Sequence, residues 1–168
     1  MIDLQTALTY LTLISVPVGV FYHIMTLKNT RKNQQLALET RQAQLYMNLY
    51  ATYHSPEFRE LLYKLMYQEW KDYDEWNEKY GEKNYPEMVA FGSVMGYFNG
   101  LGLLVRKSLI DIDTVYDLLS TFIVVVWEKH LPIMQAQRDK RNRPIWGEFE
   151  YLYNEVKKID QQYPELKT

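Results

Sequence analysis

A stretch without any formal charge, Met88–Val105, most constrains how this chain can fold. A helix that is apolar on all sides must be covered by other helices or by lipid. Gly92, Gly96 and Gly100 recur at every fourth position, so on a helix they form one stripe where a neighbouring backbone can approach closely. We predict a central helix with other helices packed on this glycine stripe (Gly92, Gly96 and Gly100).

The glycines of this stripe destabilise a helix, so close packing against a neighbour would have to compensate for that loss of stability. Each glycine inside a helix costs about 0.5–1 kcal/mol relative to alanine. If a neighbour fills the stripe, Gly96→Leu should unfold the domain by overpacking. The length of the stretch also permits a second membrane span. Ser93, Asn99 and a further glycine, Gly102, favour a buried core helix instead.

The first long segment, from Leu4 to Leu27, is also free of charge. A membrane span needs about 20 predominantly apolar residues, and Pro17 and Gly19 are tolerated within one. The start, Met-Ile-Asp, lacks the basic residues of a signal peptide, and no small-residue cleavage site follows. We predict a retained transmembrane anchor over residues 1–28. The alternative is an apolar helix that is buried in the domain or in a partner.

Charges beside this segment predict its orientation. Lys28, Arg31 and Lys32 follow the apolar run, whereas only Asp3 precedes it. The positive-inside rule places the N-terminus outside the cell membrane and the remainder of this single-pass protein in the cytoplasm. The same three cations can contact anionic lipid headgroups, although fixing the topology explains them fully.

The remainder of the chain reads as helical throughout, so the predicted fold class is all-α. We divide it into a juxtamembrane helix over residues 29–54, a bundle of about five helices over 55–164, and a tail over 165–168. Ser55-Pro56-Glu57 is a typical helix start, and Asp111 or Asp113 can cap a later helix.

Two prolines should punctuate the second half of the bundle. Pro132 should bend or interrupt its helix, because proline lacks the backbone N–H and its ring clashes with the preceding turn. Pro144 is expected to open the last helix.

An aromatic stripe lies in the acidic segment before Gly81. Its members recur at intervals of three and four residues: Trp70, Tyr73, Trp76 and Tyr80. Trp and Tyr are frequent hot-spot residues, so the stripe can serve as a docking surface for a partner protein. The alternative is that it forms the edge of the core, as apolar helix stripes usually do.

Composition and motifs exclude several classes of function. The net charge of −2 gives no basic field for nucleic acid, and the cluster Arg138–Arg143 lacks interleaved aromatics, which favours a solvated or membrane-resting loop. The chain has no cysteine, and its three histidines, His23, His54 and His130, show no metal-ligand spacing. We predict no catalytic, metal-binding or cofactor-binding residues. Arg106 and Glu128 are expected to be buried partners, as charges on apolar helices tend to be paired.

The central helix and its flanks resemble a family known only as a domain of unknown function. The resemblance is carried by Tyr97–Lys107, Leu109–Asp113, Trp127-Glu128 with Pro132-Ile133 and Arg138, and Phe149–Leu152. It covers roughly residues 35–155. Members of this family occur in archaea and bacteria and combine an N-terminal membrane helix with a helical domain. The resemblance implies that architecture, and no activity or ligand.

We therefore expect a non-enzymatic scaffold or accessory subunit, anchored in the membrane and acting through protein contacts. Its partners would be membrane lipid and either other subunits of a membrane complex or further copies of itself. The alternative is a membrane-tethered sensor that binds a small molecule or lipid between helices. Exposed Trp70 and Trp76 would favour the scaffold, whereas a cavity beside the glycine stripe would favour the sensor.

Overall fold

The computed structural model describes residues 3–163, apart from the side chains at positions 6, 7, 10–12, 14 and 16. Over that range the chain forms six α-helices and no strand, which confirms the all-α fold class. The helices are α1 Leu4–His54, α2 Pro56–Met66, α3 Tyr73–Tyr80, α4 Tyr85–Arg106, α5 Ile112–Arg141 and α6 Gly147–Gln162. The predicted tail over 165–168 lies outside the described residues.

The chain divides into two compact units, residues 1–44 and 45–168. The described part of the first unit belongs to α1, which continues through Pro17. Large apolar side chains along it are exposed to solvent, among them Val18, Phe21 and Ile24. No described residue of this unit buries these side chains.

The second unit is the helical bundle, and it begins ten residues before the predicted boundary at Ser55. The last turns of α1 belong to it, because Tyr53 is buried in the core while Tyr46 and Leu49 pack against it. The hydroxyl of Tyr97 on α4 donates to the carbonyl oxygen of Leu49 at 3.1 Å. Burial raises the pKa of Tyr97 to about 12, so this hydroxyl stays protonated and keeps its hydrogen bond.

Several predicted helix ends are present. Ser55 accepts a hydrogen bond from the backbone of Phe58, and Asp111 accepts one from Thr114. Pro132 lies inside α5 and does not interrupt it. The prediction that Pro144 opens the last helix is wrong, because α6 begins at Gly147, three residues later.

The centre of the bundle is α4, as the sequence predicts. It packs against α2, α3 and α6, and α6 packs in turn against α5. The rings of Phe98 and Phe149 stack with their centroids 5.0 Å apart, and Trp127 lies edge-on to Phe149 at the same distance. By length and composition α4 is long and apolar enough to cross a membrane, but it is the core helix of this bundle.

The glycine stripe does not form the contact that the sequence predicts. A Cβ atom built on Gly92, Gly96 or Gly100 would meet nothing within 4 Å, and Gly96 and Gly100 are exposed. The close approach occurs at Gly102, where a Cβ would overlap with the backbone carbonyl group of Glu148 on α6. The overpacking on which the prediction for Gly96→Leu rests is therefore wrong, because within the described chain nothing lies within 4 Å of a Cβ at Gly96.

Three residues on one side of α4 hold the first turn of α6. The side-chain oxygen of Asn99 accepts hydrogen bonds from the backbone of Glu148 and Phe149 at 3.2 and 3.3 Å. Gly102 leaves room for the α6 backbone, and the Arg106 guanidinium donates to both carboxylate oxygens of Glu148 at 2.5 and 2.6 Å. Asn99 thus supplies the cap that Trp146, at the N-cap position of α6, does not provide.

The ion pair between Arg106 and Glu148 corrects a second prediction. Arg106 and Glu128 are not buried partners. Glu128 instead accepts a hydrogen bond from the Tyr153 hydroxyl at 3.0 Å and lies 3.5 Å from the ammonium of Lys157. The ion pairs Arg106–Glu148 and Glu128–Lys157 each join α6 to a neighbouring helix near the surface, where solvent screens them.

The buried imidazole of His130 makes the stability of the bundle depend on pH. Its Nδ1 lies 3.0 Å from the carbonyl oxygen of Val126, while Nε2 has no hydrogen-bond partner in the described chain. The pKa of His130 is lowered from 6.5 to about 4, mainly by burial; the hydrogen bond to Val126 opposes this shift, and the charge of Lys129 adds a smaller lowering. Folded His130 therefore stays neutral at a pH where the unfolded chain takes up a proton.

We expect His130 to remove about 2 kcal/mol from the free energy of unfolding between pH 7 and pH 5. The loss occurs as pH falls below 6.5 and ends near pH 4, because proton uptake stabilises only the unfolded chain in that window. Urea titrations at both pH values should show this loss for the wild type and for His54→Gln, whose histidine is exposed. His130→Leu should lack it, and an unchanged pH dependence in that variant would contradict the assignment.

Candidate functional site

A cleft opens in the second unit between α3, α4, the last turns of α5 and the turn before α6. Its volume is about 400 Å³, within the range of ligand pockets. Five helix or loop segments contribute its lining: Tyr73, Trp76, Asn77, Gly81, Glu82, Met88, Phe91, Gly92, Gln137, Lys140, Arg141 and Trp146. The cleft is much larger than the apolar cavity of about 10 Å³ between the end of α1, α4 and α5.

The inner part of the cleft is aromatic and buried. Trp76 and Phe91 are 2% and 3% exposed, and their rings meet edge to face with centroids 4.9 Å apart. Trp146 lies at right angles to Phe91, at 6.3 Å. The indole Nε1–H of Trp76 is buried without an acceptor among the described residues. A buried donor without an acceptor costs about 1–3 kcal/mol.

The mouth of the cleft is charged and open to solvent. Lys140 and Arg141 lie in the last turn of α5, and Glu82 lies opposite, in the loop after α3. The Lys140 ammonium is 4.1 Å from the ring centroid of Tyr73. No carboxylate of the described chain lies within ion-pair distance of Lys140 or Arg141. The mouth therefore carries a net positive charge.

The turn between α5 and α6 positions one wall of the cleft. Asn142 ends α5 in the left-handed conformation, and the φ angle of Trp146 is also positive, at 62°. The Arg138 guanidinium donates to the carbonyl oxygen of Ile145 at 2.9 Å, and the Trp146 indole donates to Gln137 at 3.3 Å. These bonds tie the turn to α5 and hold Trp146 beside the cleft.

The aromatic stripe predicted as a partner surface does not form an exposed surface. Trp76 is buried, and Trp70, Tyr73 and Tyr80 are half-buried against the core. The stripe is also divided, because α3 begins only at Tyr73. Asp72 caps this helix by accepting a 3.0 Å hydrogen bond from the backbone N–H of Glu75. The alternative assignment, to the edge of the core, is the one that the structure supports.

The structure brings together residues that the sequence had placed in separate categories. Tyr73 and Trp76 from the aromatic stripe and Gly92 from the glycine stripe line the same cleft as Lys140 and Arg141 from the basic cluster. That cluster is mostly the last turn of α5, and its Arg138 pairs with Glu150 at 2.8 Å. Sequence reasoning missed Phe91 and Trp146, whose spacing shows only that they are apolar helix residues.

Other candidate sites are weaker. A second, apolar cavity between the end of α1, α4 and α5 has a volume of about 10 Å³, enough for about one water molecule. Within the described residues, no group of three or more His, Asp or Glu side chains is placed to hold a metal ion. Lys28, Arg31 and Lys32 are exposed on α1 in the first unit, separate from the cleft.

The fold and the cleft define a class of protein, an all-α bundle that carries one solvent-open aromatic cleft. The chain belongs to the family described as a domain of unknown function, DUF4760, which it matches over residues 13–156. No curated protein and no solved structure matches it. The matched range includes all cleft residues and most of the apolar segment of α1.

Proposed function

We propose that this protein is a membrane-tethered sensor of a prokaryotic cell that binds a small molecule in the cleft between α3, α4 and α5. The single observation that carries the proposal is the cleft itself, with its buried aromatic interior and open mouth. The same burial of Trp76 argues against a partner surface at the aromatic stripe. Binding, and not catalysis, is the proposed role.

The lining supports binding without chemistry. Its ionisable side chains are Glu82, Lys140, Arg141 and Tyr73, and it contains no Ser, Cys, His or Asp. A hydrolytic or acid–base mechanism needs a nucleophile beside a base, or an acid beside a base. The lining has no Ser, Cys or His nucleophile or base, and its one carboxylate, Glu82, forms no ion pair with Lys140 or Arg141 in the described chain.

The first unit supports the membrane tether. Residues 4–27 have no formal charge, and the apolar side chains described along them are exposed. Soluble proteins rarely expose contiguous apolar surface of this extent. Lys28, Arg31 and Lys32 follow it, so we propose the N-terminus outside the membrane and the bundle in the cytoplasm.

The test uses the full chain in nanodiscs of uncharged phosphatidylcholine, with empty nanodiscs as the blank. The probes are three naphthalenes of matched size: 2-naphthoate, 2-naphthalenemethanol and 2-naphthylmethylammonium. Saturation-transfer NMR should detect binding of at least one probe to the wild type. Gly92→Leu should abolish it, because the new side chain enters the cleft from a position with open space around Cβ.

Gly96→Leu is the matched control, since it adds the same side chain to the same helix at an exposed position outside the cleft. It should bind the probe as the wild type does. Failure of all three probes to bind, or equal loss in both variants, would overturn the proposed cleft function.

A scaffold or accessory subunit is the second candidate. The observation that favours it is the exposed side of α4, where Val89 and Leu103 are 42% and 40% exposed and Gly96 and Gly100 leave a smooth surface. A helix of another subunit, or of a second copy, would pack on this side. This role predicts the reverse pattern: Gly96→Leu would disrupt an assembly in native membranes, and Gly92→Leu would not.

A further inference from the structure

We infer that the ligand of the cleft is a water-soluble anion with a flat, conjugated body. The inference rests on the proposed function, because it assigns a chemical class to the molecule that the cleft binds. Two independent features of the lining carry it: the charge at the mouth and the arrangement of the rings.

The charge at the mouth selects the sign of the ligand. Lys140 and Arg141 contribute two positive charges, and Glu82 contributes one negative charge. Arg138, one turn earlier on α5, is neutralised by Glu150, whereas Lys140 and Arg141 have no such carboxylate in the described chain. Charge-assisted hydrogen bonds to a carboxylate or phosphate would satisfy both side chains. A cationic ligand would meet net repulsion.

The rings select the shape of the ligand. The half-buried rings of Tyr73 and Trp146 are partly accessible in the cleft, whereas Trp76 and Phe91, also in the lining, expose almost no surface. Aromatic surfaces attract a flat ring in stacked or edge-on arrangements more than they attract a flexible chain, which loses conformational entropy on binding. A conjugated ring system therefore uses this lining better than an acyl chain of equal volume.

The experiment compares the same three probes on the wild type and on two double variants in phosphatidylcholine nanodiscs. We expect 2-naphthoate to bind the wild type about tenfold more tightly than 2-naphthalenemethanol, and 2-naphthylmethylammonium to bind more weakly than both. Lys140→Gln/Arg141→Gln should abolish the preference for naphthoate while leaving naphthalenemethanol unchanged. Both side chains are exposed, so the fold should be unaffected.

Lys107→Gln/Arg143→Gln is the matched control, because it removes the same charge from exposed residues that do not line the cleft. It should keep the tenfold preference. If the probes bind but the neutral or cationic probe equals naphthoate, the anion assignment is overturned while the cleft function stands. If no probe binds, the cleft function itself fails.

A lipid headgroup is the other source of an anion. Replacing phosphatidylcholine with phosphatidylglycerol in the nanodiscs distinguishes the two sources. A soluble ligand predicts that naphthoate binding by the wild type is at most slightly reduced, by the general surface potential. Complete suppression of naphthoate binding, with naphthalenemethanol suppressed equally, would overturn the assignment of a soluble ligand.

Discussion

Gly102→Ala should destabilise the bundle by about 3 kcal/mol and lower its melting temperature by roughly 10 °C. The added methyl group would overlap with the carbonyl group of Glu148 and lie 3.2 Å from Cβ of Leu152. A backbone carbonyl cannot rotate away as a side chain can, so α6 would have to move as a unit. That movement would strain the hydrogen bonds from α6 to Asn99 and the ion pair to Arg106. Thermal unfolding followed by circular dichroism measures the effect.

The matched substitution Gly96→Ala should have the opposite sign. Gly96 lies on the same helix, two turns earlier, where an added Cβ meets nothing within 4 Å. Alanine is favoured over glycine inside a helix, so this variant should be stabilised by about 0.5–1 kcal/mol. If both variants melt like the wild type, or if Gly96→Ala is the more damaging, then the α4–α6 contact is not centred on Gly102.

The double variant Leu13→Arg/Val18→Arg should release the protein from the membrane. Both side chains are exposed on α1, within the segment proposed to span the bilayer. An arginine near the centre of a span costs about 2.5–3.5 kcal/mol, so the pair would cost about 5–7 kcal/mol. After expression in a bacterial host and carbonate extraction, we expect the wild type in the membrane pellet and the double variant in the supernatant.

Leu36→Arg/Leu38→Arg is the control for this experiment. These two leucines are also exposed on α1, but they follow Lys28, Arg31 and Lys32 and lie outside the uncharged segment. This variant should remain in the membrane pellet. If the first double variant also remains there, at the wild-type level, the segment is not the anchor, and the bundle must be held at the membrane in another way.

The two sets of variants separate the tether from the binding site. The arginine pair changes only the first unit, and the cleft variants change only the second. A sensor should keep its affinity for 2-naphthoate when α1 is altered outside the bundle. It should keep its membrane location when Gly92→Leu closes the cleft. Each property is thus measurable while the other is held constant.

The candidate site was only partly predictable from the sequence. The spacing of Tyr73 and Trp76 predicts an exposed partner surface, whereas the structure places both in the cleft lining. Periodicity shows which residues share a side of a helix, but not what covers that side. Lys140 and Arg141 were recognised as cations, and their relation to the aromatics was invisible because 64 residues separate Lys140 from Trp76. Phe91 and Trp146 carried no local signal that distinguishes a cleft residue from a core residue.

The sequence by itself determined the helices and most of their starts, because capping and apolar periodicity are local properties. The caps at Ser55 and Asp111 and the apolar length of α4 follow from residues only a few positions apart. Only the tertiary structure shows which glycine of α4 is in close contact with the backbone of a neighbouring helix. Sequence spacing singles out Gly92, Gly96 and Gly100, yet it is Gly102, outside that stripe, that faces α6, while Gly92 opens into the cleft. That choice depends on where α6 returns, a contact between residues almost fifty positions apart, which no local pattern encodes.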